Sequence, residues 1–107
     1  MAEDWEPRDV LKVDFSRHAF RAGPAVVIGV NGADILVCSG TGQDWHEGDD
    51  SFYPIEEGDG NFRCRTYINC CDVYTITEEE ILEYWGTVDD ETFSSLIERM
   101  RNYGIDI

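Results

Sequence analysis

The chain has 107 residues, with 23 acidic and 8 basic side chains, a formal net charge of −15 and 42% apolar content. That length fits one domain, 1–107, built on one core, and so acidic a surface repels nucleic-acid phosphates over most of its extent. No apolar run approaches the ~18 residues of a membrane-spanning helix, and the acidic start Met1-Ala2-Glu3-Asp4-Trp5-Glu6 lacks the basic and apolar regions of a secretory signal, so a cytoplasmic location is expected.

Residues 1–8 read as a loose tail ended by Pro7. Val10-Leu11-Lys12-Val13-Asp14-Phe15 predicts a first strand, and 16–23 a loop carrying Arg17, His18 and Arg21. The run Pro24-Ala25-Val26-Val27-Ile28-Gly29-Val30 is apolar throughout and rich in Val and Ile, which predicts a buried second strand. Asn31-Gly32, both tolerant of positive φ, predicts a two-residue hairpin into a third strand over 33–39. A Gly- and Asp-rich loop, 40–50, holds Thr41, Gln43, Trp45 and His46. Residues 51–55 read as a short edge strand, because Pro54 cannot donate to a ladder. After a turn-rich loop, 56–61, the stretches 65–69 and 71–76 read as one long strand or two consecutive ones, and 81–85 as a short final strand.

The last element is a helix over 89–102. Thr87 or Asp89 can cap it, and the acids that follow suit its positive N-terminus. Phe93, Leu96, Ile97 and Met100 fall on one stripe. Arg99 and Arg101 complement the dipole in the last turn, and Asn102 and Gly104 stop the helix. Five or six short strands and one terminal helix predict a mainly β fold, a small SH3-like barrel with the helix packed across it.

Four cysteines in a chain without a secretory signal should be free thiols. Cys70 and Cys71 are adjacent and would point to opposite faces of a strand, while His18 and His46 show no ligand spacing to any cysteine. No metal and no cofactor are expected. The acids cluster at 44–50, 56–59, 77–83 and 89–91, whereas Arg17 and Arg21 share one loop and Arg63 and Arg65 lie at one strand start. Solvated acidic loops with scattered arginines would account for this. So would a small basic site on an acidic body.

The order of elements resembles the PemK/MazF-like family of toxin endoribonucleases over roughly 10–101. The stretches that carry the resemblance are Val10 to Phe15, Gly23-Pro24-Ala25-Val26-Val27-Ile28, Cys38-Ser39-Gly40-Thr41-Gly42-Gln43, and Thr66 to Ile76 followed by Gly86-Thr87-Val88-Asp89-Asp90-Glu91. The resemblance implies metal-independent cleavage of single-stranded RNA, a homodimer and an antitoxin partner. It also implies an Arg before the proline and a Thr at the end of the third strand, both acting at the scissile phosphate. Thr41 stands at the Thr position and Gln43 matches a common companion. The Arg position is Gly23, and Arg21 is the nearest guanidinium.

The candidate catalytic residues are therefore Arg21, Thr41 and His18, with Arg17, Gln43 and Trp45 as substrate contacts. A guanidinium can hold a phosphate bidentately and neutralise the charge it gains in the transition state. Each residue also has a plainer reading: Arg21 as a solvated surface side chain, His18 as an ordinary loop histidine, Thr41 as a hydroxyl that ties down a Gly-rich turn. Two other functions stay open beside the nuclease. One is a non-catalytic module that binds a peptide or protein in its groove; the other is an acidic mimic of nucleic acid. Trp5, Phe52 and Trp85 are expected to lie exposed and to favour dimerisation.

Overall fold

A computed structural model describes residues 5–18 and 21–107. Among them are seven strands and one α-helix: β1 (Asp9–Val13), β2 (Gly23–Asn31), β3 (Asp34–Thr41), β4 (Phe52–Ile55), β5 (Thr66–Asn69), β6 (Tyr74–Ile76), β7 (Ile81–Thr87) and α1 (Asp90–Asn102). All pairings are antiparallel, in the order β4-β5-β3-β2-β1-β7, and β6 pairs with the first half of β3. The fold class is thus the expected one, mainly β with a C-terminal helix.

Successive residues of the central strands enter two apolar clusters, which is why β2 carries no polar alternation. Leu11, Val13, Ala25, Val27, Val37 and Ile76 form one cluster with Phe15. Val10, Val26, Cys38, Ile68 and Cys70 form the other, closed over by Leu96 and Met100 of α1. Leu96 and Met100 are fully buried, so each contributes about 1.5–3 kcal/mol of transfer free energy. Phe93 and Ile97 pack at the margin of that cluster, completing the stripe. Asp89 caps α1 by accepting from Glu91 N, and Asp59 ties the same end down through Asp89 N and the Thr92 hydroxyl.

Several expectations need correction. The first strand stops at Val13, because the Asp14 carboxylate accepts from Ser16 N and turns the chain; Phe15 lies beyond it, buried. The β2–β3 turn is Gly32-Ala33, since Asn31 pairs with Asp34. Gly32 has φ 64°, and glycine at the first turn position suits a type II′ hairpin. Of the two readings left open for 65–76, the structure takes two strands, because the Asn69 side chain accepts from Cys71 N and bends the chain between them. The final strand runs on to Thr87.

The tail read as loose over 1–8 is described from Trp5, and residues 5–8 are anchored. Arg8 N donates to Val27 O, Arg8 O accepts from Val88 N, and its guanidinium pairs with Asp90. Trp5, Phe52 and Trp85 are half-buried rather than exposed, packed by Tyr84, His46 and Phe62 respectively. Among the described residues, the large apolar side chains that do face solvent are Val30, Trp45, Leu82, Tyr84 and Tyr103.

Candidate functional site

The start of β2 and the end of β3 lie side by side and open a groove of about 650 Å³. Its floor is the Gly23-Pro24 step and Ser39-Gly40-Thr41, where β3 leaves β2 and pairs with β5. Gly40 is required there. A β-carbon on it would lie 2.8 Å from Ile68 Cδ1 and 2.9 Å from Thr66 Cγ2. Phe15, Phe52 and Tyr74 supply apolar walls; Arg21, Gln43 and Asn69 supply the polar rim.

The structure brings Arg21, Thr41 and Gln43 to this groove. Thr41 Oγ1 accepts from Gln43 N at 3.3 Å, so the hydroxyl does tie down the turn while its own proton remains free to donate. Arg21 is exposed and makes no ion pair among the described residues. It is also the only charged side chain among the described residues lining the groove.

The other three candidates lie elsewhere. Arg17 donates to both oxygens of Glu80, at 2.8 and 3.1 Å, and to Thr75 O at 2.8 Å. That clasp holds Glu80 below the ordinary carboxylate range, with burial opposing it, and raises Arg17. His18 packs edge-on behind Tyr74, ring centres 5.1 Å apart, with its Nε2 buried and without a hydrogen-bond partner among the described residues. Trp45 is on the far side of Gln43, to whose Oε1 it donates its indole proton at 2.5 Å.

Sequence reading missed Tyr74, Ser39 and Asn69. The signal for Tyr74 was its place on a half-polar strand face, which does not reveal that β6 pairs with β3 and delivers the ring to the groove. Burial, then the nearby Asp72, pushes the Tyr74 phenol up, which keeps it protonated.

The acidic loop does not enter the groove. Glu47 accepts from the Tyr67 hydroxyl and from Arg65, which together lower its pKa; Asp49 is lowered chiefly by bonds to Ser51. Glu47, Asp49 and Asp50 line a separate cavity of about 140 Å³ beside His46 and Arg99. The carboxylates of 44–50 therefore reach the groove only through their long-range field, not by contact. Among the described residues no group of carboxylates, histidines and thiols could hold a metal ion, and no helix is long and apolar enough to cross a membrane.

No protein-family model matches the sequence, and no curated protein matches it at a significant level. Solved structures do match in shape. An endoribonuclease in complex with its cognate antitoxin, from a mycobacterial species, aligns with a TM-score of 0.75 over 99% of each chain at 16% identity. An endoribonuclease from a mycobacterial species aligns at 0.76 over 98% of this chain and 96% of the other, also at 16% identity. The Mycobacterium tuberculosis toxin MazF-mt6 aligns at 0.74 over 94% and 100%, at 15% identity. The fold is that of MazF-type toxins.

Proposed function

We propose that this chain is a toxin-type endoribonuclease, the toxin half of a toxin–antitoxin pair, and that it cleaves single-stranded RNA without a metal. The observation that carries the reading is the groove itself. On a chain of net charge −15, its described lining contains one charged side chain, an arginine with no ion pair among the described residues that shares the groove with Thr41. The MazF-type fold supports it independently.

In the proposed reaction the RNA supplies its own nucleophile. A ribose 2′-oxygen attacks the adjacent phosphorus and loses its proton to solvent. The P–O5′ bond breaks, and the departing oxygen takes up a proton. The products are a cyclic phosphate and a 5′-hydroxyl. Arg21 neutralises the non-bridging oxygens as charge builds there. The Thr41 hydroxyl donates to one of them, and the Tyr74 ring walls the groove. Gln43 contacts the strand on the rim.

We further propose a cytoplasmic homodimer. Leu82 and Tyr84 lie exposed on β7, the strand at one end of the sheet, and are the apolar surface a second copy would cover. A neutralising antitoxin is proposed by analogy with the complex of similar fold.

The test incubates purified protein with a long single-stranded RNA in a chelator, alongside Thr41→Ala and Arg21→Ala. Cleavage by the natural chain that both variants lose supports the reading. Cleavage that survives Arg21→Ala, or that needs magnesium, places the chemistry elsewhere. Gly23 at the family's arginine position favours a second reading. An inert natural chain would leave an acidic binding protein, holding a peptide or protein or mimicking nucleic acid.

A further inference from the structure

Trp45 is 71% exposed, far more than a ring of its size needs to be in a loop that folds back on the barrel. Its orientation is nevertheless fixed. The His46 ring lies against it with centres 3.6 Å apart, and Phe52 backs His46 at 3.8 Å. The indole N–H is held by Gln43 Oε1. Gln43 and Phe52 both line the groove. The stack therefore runs from the groove wall outward and ends in a ring that lies tilted against His46 on one side and is otherwise largely open to water.

We propose that this open face is a stacking platform for an unpaired nucleobase of the strand whose phosphate sits between Arg21 and Thr41. The inference rests on the RNA-cleaving reading of the groove and adds a recognition residue to it. A ring whose only hydrogen-bonding group is already engaged offers a π-face and nothing else, which suits any base and discriminates weakly among them. Asp44 and Glu47, within two residues of it, are exposed and charged, which disfavours an apolar peptide side chain against that ring. The platform also answers the charge problem. With one arginine in the groove, affinity has to come from stacking more than from phosphate contacts.

The test uses a mixed-sequence 2′-O-methyl RNA oligomer, whose blocked 2′-oxygens cannot attack, and an abasic strand of equal length. Binding is read by anisotropy of a labelled oligomer and by quenching of tryptophan fluorescence. The expected result is quenching by the base-bearing oligomer that Trp45→Ala abolishes, with affinity falling ~5- to 150-fold, the equivalent of ~1–3 kcal/mol. Trp45→Phe should recover most of the affinity, and the abasic strand should bind natural and Trp45→Ala protein equally weakly. Unchanged affinity in a folded Trp45→Ala variant overturns the platform even if RNA is still cleaved. Oligomer binding and quenching without any cleavage would sustain the platform and remove the nuclease reading. Failure of the oligomer to bind, with quenching by a cognate protein partner instead, would assign the face to that partner and overturn the proposal.

Discussion

Replacing Gly23 with arginine is the most informative perturbation of the groove. The position can accept it. Gly23 is not among the glycines with positive φ, and a β-carbon there would meet only Gly40 O, at an ordinary 3.9 Å. The residue pairs with Val13 at the start of β2 and lines the groove one residue before Pro24, on the same floor as Thr41. A side chain there should not lower stability, since glycine in a strand costs about 0.5–1 kcal/mol against alanine. A charge-assisted hydrogen bond to phosphate contributes ~1.5–3 kcal/mol. Applied only to the transition state, that is about a 10- to 150-fold rise in kcat/KM; the open groove argues for the lower end. The assay is cleavage of a long single-stranded RNA by natural, Gly23→Arg and Gly23→Ala proteins, with thermal midpoints checked. Gly23→Ala should gain nothing. A folded Gly23→Arg protein with no gain would refute a phosphate seated over Gly23 and Thr41.

Leu96→Ala should cost about 2–4 kcal/mol, because its side chain is fully buried under α1; an unchanged denaturation midpoint would contradict that packing. Cys64 and Cys71 are exposed and should react promptly with a thiol reagent. Cys38 and Cys70 are buried, with the Cys70 thiol pushed up to about 11 chiefly by burial, and should react only on unfolding; four fast thiols, or stoichiometric zinc, would overturn this. Glu80 is held below its unfolded value of about 4.3, first by Arg17, so its contribution is complete above that value and fades as pH falls through the lower folded one. Glu80→Gln should therefore be less stable than the natural chain near neutrality and converge with it in acid; a gap that stays constant down to about pH 3 would exclude the clasp.

What the sequence showed depended on how local the determinant was. The stripe Phe93, Leu96, Ile97 and Met100 is a periodic signal, and α1 lies where it predicts. The hairpin was placed one residue early because Asn31 and Gly32 both tolerate positive φ, and only pairing with Asp34 decides which residues turn. The anchoring of residues 5–8 rests on bonds to Val27, Val88 and Asp90, all distant in sequence, so no local pattern could reveal it. The groove was half legible. Thr41 and Gln43 follow an apolar strand, and that position is readable. Tyr74 comes from a three-residue strand whose pairing is set by the fold. Likewise Arg17 and Arg21 look equivalent in the sequence. They differ because Glu80, 63 residues away, takes one and leaves the other.

The charge reading gains most from the structure, and it sets a last expectation. Of the eight cations, Arg8, Lys12, Arg17 and Arg65 are ion-paired. Arg99 and Arg101 donate to the carbonyls of Phe52 and Ile107. Arg21 and Arg63 remain without a pair among the described residues, and Arg21 alone of the two lines the groove. A single strand bound mainly through Arg21 should lose affinity with salt at a slope of only about −0.7, the value for one neutralised phosphate. The rest of the surface repels the strand, and salt screens that repulsion over about 8–10 Å, which flattens the slope further. Affinity for an uncleavable RNA oligomer should hence be nearly constant between about 50 and 200 mM salt. Gly23→Arg should steepen the dependence by about 0.7, and Arg21→Ala should reverse its sign, since only screened repulsion is then left. A slope of several units in the natural chain would mean that many cations meet the strand. The pairing of Arg8, Lys12, Arg17 and Arg65 with carboxylates, as described, could not then hold in the complex.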